Sequence, residues 1–358
     1  MEILFVHLGK SVPSHLVENF TSFKLRFPNL DVKIILSDDC KIPKQLNTND
    51  VCLDNSDQRD HLFAHLDHDP KFRNQFWRKS LERILAVCEY QIKNSESSVV
   101  HFESDILVLP NFPFDEFEEI DSISWQNYNQ DRDVASIIYI PNRYSSKWLH
   151  DKLLEQISNN TAVTDMSALR EIRRNYPSMC HVIPNIISKT DLAQNRTHGP
   201  EKSASVFRKM TDGIFDSAQI GMWLVGMDPR NTYGVLRIHD RSILDSGEAP
   251  LDPSRLNYSL DQNGCLHAIL EDKIVLPIFS LHIHSKRLQL FKSTYSRDLI
   301  NFVNLANNQK DAVNRFEPTV LIKLFSNSIL SGNTLNFFLG IPLLYRLRIK
   351  IRNLTTRK

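Results

Sequence analysis

The chain has 358 residues, 41% of them apolar and 24% charged, which is globular composition and excludes disordered and fibrous classes. Lys and Arg number 43 against 42 Asp and Glu, so a formal charge of +1 supplies no general basic field for nucleic acid. The charge is unevenly spread: seven bases and no acid follow Glu317, leaving −6 on residues 1–317 and +7 on the remainder.

Met1-Glu-Ile-Leu-Phe-Val-His7 places an acid where an export signal needs bases and reads as a first β-strand. Ser14 can cap a helix carrying Val17, Phe20, Phe23 and Phe27, and Val32–Leu36 is a second strand that ends at Ser37-Asp38-Asp39. Residues 44–72 are polar and aperiodic and read as a long surface connection. From Phe76 a helix sets Trp77, Leu81, Ile84, Leu85 and Cys88 on one face. The strand Ser98–Phe102 then stops at Glu103-Ser104-Asp105, with Ile106–Pro110 directly behind. Ser122–Trp125 and Ala135–Ile140 are further strands, followed by a helix over Lys147–Ile157 and another begun by a capping Thr164.

Lys189–Met210 lacks periodicity and is expected to be a mobile loop. Asp212–Asp216 is expected to open a helix running through Trp223 and Leu224 to Gly226. A last apolar strand, residues 274–283, runs into His284-Ser285-Lys286, and helical spacing follows from Leu288. Strands alternating with helices in this way predict an α/β fold, a doubly wound and mainly parallel sheet with ligands beyond the strands' carboxyl ends. The expected division is one domain over 1–290 and a helical extension over 291–358. The five cysteines, Cys40, Cys52, Cys88, Cys180 and Cys265, are widely spaced without a Cys-x-x-Cys pair. They argue against a disulfide framework and fit a reducing, cytoplasmic setting.

Chemistry concentrates at strand ends. Glu103 and Asp105 flank a small residue and can be aimed at one divalent cation, which would neutralise a diphosphate; the same triplet is also a common solvated strand end. Alternation puts His282 and His284 on one face with Lys286 beyond, so either imidazole can complete the ligand set and the ammonium can hold phosphate; the plain alternative is a solvated surface. Asp216 and Gln219, three apart at a helix start, can grip sugar hydroxyls or merely cap the helix. Asp165 is either a general base towards an acceptor hydroxyl or an acid well placed in a first helical turn. His61, His65 and His68, among Asp60, Asp67 and Asp69, read as a polar loop before a zinc site.

Together these features resemble a nucleotide-sugar-dependent glycosyltransferase of the GT-A fold, over roughly residues 1–290. The resemblance implies Mn2+ or Mg2+ held by Glu103, Asp105 and His284, with His282 an equal contender, and Lys286 on the diphosphate of a nucleotide sugar donor. It implies a nucleotide-binding half over 1–125, where His7 to Lys10 and Asp38 or Asp39 line base and ribose and Arg78 or Arg83 approaches the diphosphate. The half over 126–290 would take a saccharide or lipid-linked acceptor, with Asp165 or Asp216 as base and Gln219 on the sugar. Two other readings stand beside it, a sugar nucleotidyltransferase and a saccharide-binding protein without chemistry.

In the basic segment, Leu343, Leu347, Ile351 and Leu354 can form a stripe with Arg346, Lys350 and Arg357 elsewhere. This pattern suits peripheral attachment to an anionic membrane face, and a solvated basic end would look the same. No apolar run reaches the roughly 20 residues of a span.

Overall fold

The structure, a computed structural model, describes residues 1–313 except 56–58, 69–71, 73–74, 130–131, 188–206, 208–209, 229, 231–237, 239–251 and 271–272. Most of the expected Lys189–Met210 loop and the whole basic segment lie outside the described residues. No helix among the described residues is long and apolar enough to cross a membrane.

The described residues form two sheets. The main sheet has seven strands in the order β3-β2-β1-β4-β7-β6-β8. They are β1 (Glu2–His7), β2 (Asp31–Ser37), β3 (Val51–Asp54), β4 (Val99–Phe102), β6 (Ile123–Asn129), β7 (Arg132–Ile140) and β8 (Cys180–Ile183). Every pairing is parallel except the two made by β7, which gives the mixed α/β, mainly parallel sheet expected. The middle strands are continuous apolar runs because both faces are covered: Ile3, Leu4 and Phe5 on β1 are all fully buried.

One face carries α3 (Phe76–Asn94), α5 (Arg143–Asn159) and α6 (Asp165–Asn175). Against the other lie α1 (Ser14–Arg26), α4 (Phe114–Phe117) and the second sheet, joined by edge-to-face phenylalanines such as Phe102 and Phe112 at 5.3 Å. That sheet comprises β5 (Ile106–Val108), β9 (Ile186–Ile187), β10 (Gly213–Phe215), β11 (Asn257–Leu260), β12 (Leu266–Ile269) and β13 (Val275–His282). Its outer layer is α7 (Gln219–Val225), α8 (Leu288–Lys292) and α9 (Arg297–Val313), with Leu290, Phe291, Leu299 and Phe302 buried in the same core as β13. α2 (Asp60–Phe63) is a single turn against α5.

Three expectations change. Residues 44–72 are not all surface connection, because Val51–Asp54 pairs with β2 as an edge strand too short to show a period. Gly213–Phe215 is a strand, not a helix start: it pairs with β9 and β13, and a Cβ at Gly213 would lie 2.2 Å from the Phe279 ring. The helix begins later, at Gln219. Ser14 is the first residue of α1, whose N-cap is Pro13 without a side-chain cap.

Candidate metal and donor site

The chain leaves the main sheet after Phe102 and joins the second at Ile106, so Glu103-Ser104-Asp105 is the corner between sheets. Asn19 of α1 fixes this corner by donating to the Ser104 carbonyl at 3.2 Å and the Ile106 carbonyl at 2.8 Å. β13 runs antiparallel to β5 with His282 opposite Ile106, and Ile283 N–H donates to the Asp105 carbonyl at 2.7 Å. That register brings His282 Nε2 to 3.4 Å from Asp105 Oδ2. One ligand atom each of Glu103, Asp105 and His282 lies within 4.8 Å of the other two. Two carboxylates and an imidazole at this separation suit a borderline-hard divalent ion such as manganese or magnesium.

Protein cations surround the same atoms. Lys286 Nζ stands 3.0 Å from Asp105 Oδ2, and Arg83 Nη2 is 2.5 Å from Glu103 Oε1. Burial alone would raise the Asp105 pKa, but Lys286 and His282 hold its carboxyl well below the usual carboxylate range. Burial likewise opposes the His282 charge, and the Asp105 carboxylate, with Glu103 and Asp216 beyond, carries its pKa up to about 9.

His284 lies outside the ligand cluster. β13 ends at His282, and His284 sits in the following turn, where its Nδ1 accepts the Asp228 N–H at 2.9 Å. Of the two histidines that the sequence leaves open, it is His282 whose ring nitrogen stands with the Glu103 and Asp105 carboxylates.

Asp165, fully inside the protein on the first turn of α6, faces Arg83 Nη2 at 3.8 Å and has no hydrogen-bond partner on its buried Oδ1. Burial, with Glu103 adding to it against Arg83, pushes its pKa up to about 6. The native chain thus holds this proton more tightly than the unfolded chain, whose ordinary value is 3.8. The associated stability is complete below pH 3.8 and is lost as pH rises through 6. Asp165→Asn should therefore be more stable than wild type by up to about 2–3 kcal/mol at pH 7.5, with the gap closing towards pH 4 in thermal melts.

Asp216 does not fit the role of base. Its Oδ1 accepts Ala218 N–H at 3.1 Å and Ile220 N–H at 2.9 Å, while Oδ2 accepts Gly221 N–H at 2.8 Å and His282 N–H at 3.0 Å. Four backbone donors occupy the carboxylate's acceptor positions, so Asp216 ties α7 to the end of β13. Gln219, also buried, accepts from Ser217 Oγ at 3.3 Å and donates to the Tyr128 carbonyl at 3.4 Å.

At the ends of β1 and β2, His7 Nε2 bonds the Ser11 carbonyl at 2.8 Å, and the carbonyl of exposed Lys10 accepts Lys41 N–H at 3.1 Å. Asp38 and Asp39 are exposed in the turn directly after β2. Arg78 is held away from the corner, with Nε on Glu82 at 2.7 Å, Nη2 on Asp60 and its guanidinium 5.2 Å from the Phe63 ring. Of the two arginines on α3, Arg83 alone meets the corner. His15, not anticipated from sequence, contacts Ser104 Oγ at 3.3 Å and lies 5.9 Å from the Phe291 ring in a tilted arrangement. Its signal was the four-residue spacing to Asn19, which puts both on one face of α1.

No protein-family profile and no curated protein matches this sequence. The solved structures that this chain is similar to include glycosyltransferases. The galactosyltransferase LgtC in complex with donor and acceptor sugar analogues shares 10% identity, covering 86% of this chain and 96% of its own at a TM-score of 0.41. The apo form of the glycosyltransferase GlyE of Streptococcus pneumoniae TIGR4 shares 13%, covering 92% and 64% at 0.38. A glycosyltransferase involved in glycosylation of the major capsid of PBCV-1 shares 8%, covering 51% and 82% at 0.31. At these identities and scores the likeness gives no residue a role.

Proposed function

We propose that this chain transfers a sugar from a nucleotide diphosphate sugar to a hydroxyl of a saccharide or glycolipid, with a divalent cation held by Glu103, Asp105 and His282. The observation that carries the reading is the convergence of those three ligand atoms within 4.8 Å at the carboxyl end of β4. Strand ends of a parallel sheet, where strand order reverses, are where such folds take nucleotides. When bound, manganese or magnesium would neutralise charge developing on the departing diphosphate.

The remaining work falls to side chains. Lys286 supplies a fixed positive charge beside Asp105, where a phosphate oxygen can replace part of its present contact. Arg83 bridges Glu103 and Asp165, so it orients the carboxylates on either side of a sugar hydroxyl. Asp165, whose buried Oδ1 has no hydrogen-bond partner and whose pKa is about 6, would take the proton from an acceptor hydroxyl near neutral pH. His7, Lys10, Asp38 and Asp39 supply polar groups at adjacent strand ends for base and ribose.

Thermal melting with UDP, GDP, CDP and ADP, each with manganese or with EDTA, tests the proposal. A ligand stabilises only the state that binds it, so one diphosphate should raise Tm, and more with manganese. No shift with any of the four would refute a nucleotide sugar donor.

A further inference from the structure

The segment after α7 carries charges that the reading above leaves unused. Asp228 is buried, and its N–H donates to His284 Nδ1 at 2.9 Å. Its carboxylate grips Arg230 with Nε at 3.1 and 3.0 Å from the two oxygens, Nη2 at 2.6 Å from Oδ2 and the Arg230 N–H at 2.8 Å from Oδ1. Nη1 takes no part in that grip, and the Arg230 side chain is 59% exposed. On the other side of the same oxygen stands Lys286 Nζ, 3.7 Å from Asp228 Oδ2 and 3.0 Å from Asp105 Oδ2.

One buried carboxylate thus stands between two cations, one seated at the corner and one turned to solvent. The charge of Arg230 acts electrostatically on Asp105, Lys286 and His15. The Lys286 backbone is left-handed, with φ 54°, a conformation that a non-glycine residue adopts only when its surroundings hold it. Here the turn is closed by Lys286 N–H on the Ile283 carbonyl at 2.8 Å. A guanidinium pinned along one edge loses little freedom when its other edge meets a phosphate, and an ammonium beside it acts as a point charge. Two fixed cations suit two linked phosphates better than one.

We infer that Asp228 is a positioning residue that sets Arg230 and Lys286 as a two-cation clamp for a diphosphate, so that nucleoside diphosphates are preferred to monophosphates even without a divalent cation. The inference rests on the donor reading above. His284 then serves the clamp, through Asp228, and not the metal.

The test is calorimetric titration of the full chain and of Arg230→Ala and Asp228→Asn with UDP, GDP, CDP, ADP and the corresponding monophosphates, in EDTA and in manganese. Wild type should bind one diphosphate more tightly than its monophosphate in both buffers. Arg230→Ala should weaken the diphosphate by about tenfold or more and the monophosphate by less than about twofold, with Asp228→Asn giving the same selective loss. Arg230→Ala leaves buried Asp228 with Lys286 as its near counter-charge, so its melting temperature should fall, and titration well below that temperature, with the monophosphate as internal control, keeps the comparison clean. Wild-type diphosphate binding that Arg230→Ala leaves intact, or a diphosphate preference seen only with manganese, overturns the clamp alone. A wild type that binds no diphosphate in either buffer overturns the donor reading and the clamp with it.

Discussion

Asp105→Asn is expected to lower the proposed metal-dependent transfer by about 10²–10³-fold or more, because it removes the carboxylate that meets both His282 and Lys286 and that would hold the cation. Stability should fall as well. The side chain is buried, and its loss removes the anion shared by Lys286 and the His282 imidazolium, leaving Asp228 beside the lysine and Glu103 beside the imidazole. Breaking a buried ion pair costs about 3–5 kcal/mol, part of which His282 can recover by releasing its proton. Its pKa is about 9 only because of its anionic neighbours. Thermal melts should therefore show a deficit at pH 7 that narrows as pH rises towards 9. A variant that keeps wild-type turnover would remove Asp105 from the site.

Gly221→Ala is expected to destabilise the protein and disable the site together. A Cβ at this position would lie 1.9 Å from the His282 carbonyl oxygen and 2.9 Å from Asp216 Oδ2. The obstacle is backbone at the end of β13, so α7 must shift or the strand must. Alanine gains about 1 kcal/mol of helix propensity over glycine, and overpacking against a fixed strand costs about 1–3 kcal/mol and occasionally more. With an overlap this deep the steric cost wins, and a net loss of about 2 kcal/mol should lower Tm by roughly 4–8 °C. Because the displaced atom belongs to His282, manganese-dependent stabilisation by a nucleoside diphosphate should disappear even where the fold survives.

The half of the fold that is parallel and buried on both faces was legible in the sequence, since β1 carries an unbroken apolar run, those of β2 and β4 are broken only by Lys33 and His101, and α3 is strongly amphipathic. The acid-x-acid corner was legible for the same reason, as it ends such a run. The second sheet was not. β5 and β13 are far apart in sequence, and nothing local marks Ile106 as the partner of His282. That pairing also separates the two histidines: two-residue alternation places 282 and 284 alike only while the strand lasts, and β13 stops at 282. Arg78 was misplaced although Glu82 four residues on already offered it a helical ion pair. Asp216 misled because a carboxylate at a helix start looks the same in sequence whether it meets substrate or backbone N–H groups.

The most direct test of the site is titration of Mn2+ in the presence of the diphosphate that wild type binds, read by the loss of the free-manganese paramagnetic signal, on wild type, His282→Ala and His284→Ala. The geometry predicts that His282→Ala weakens manganese binding by about tenfold or more and that His284→Ala keeps the wild-type manganese affinity. Manganese affinity lost in His284→Ala and retained in His282→Ala would contradict it.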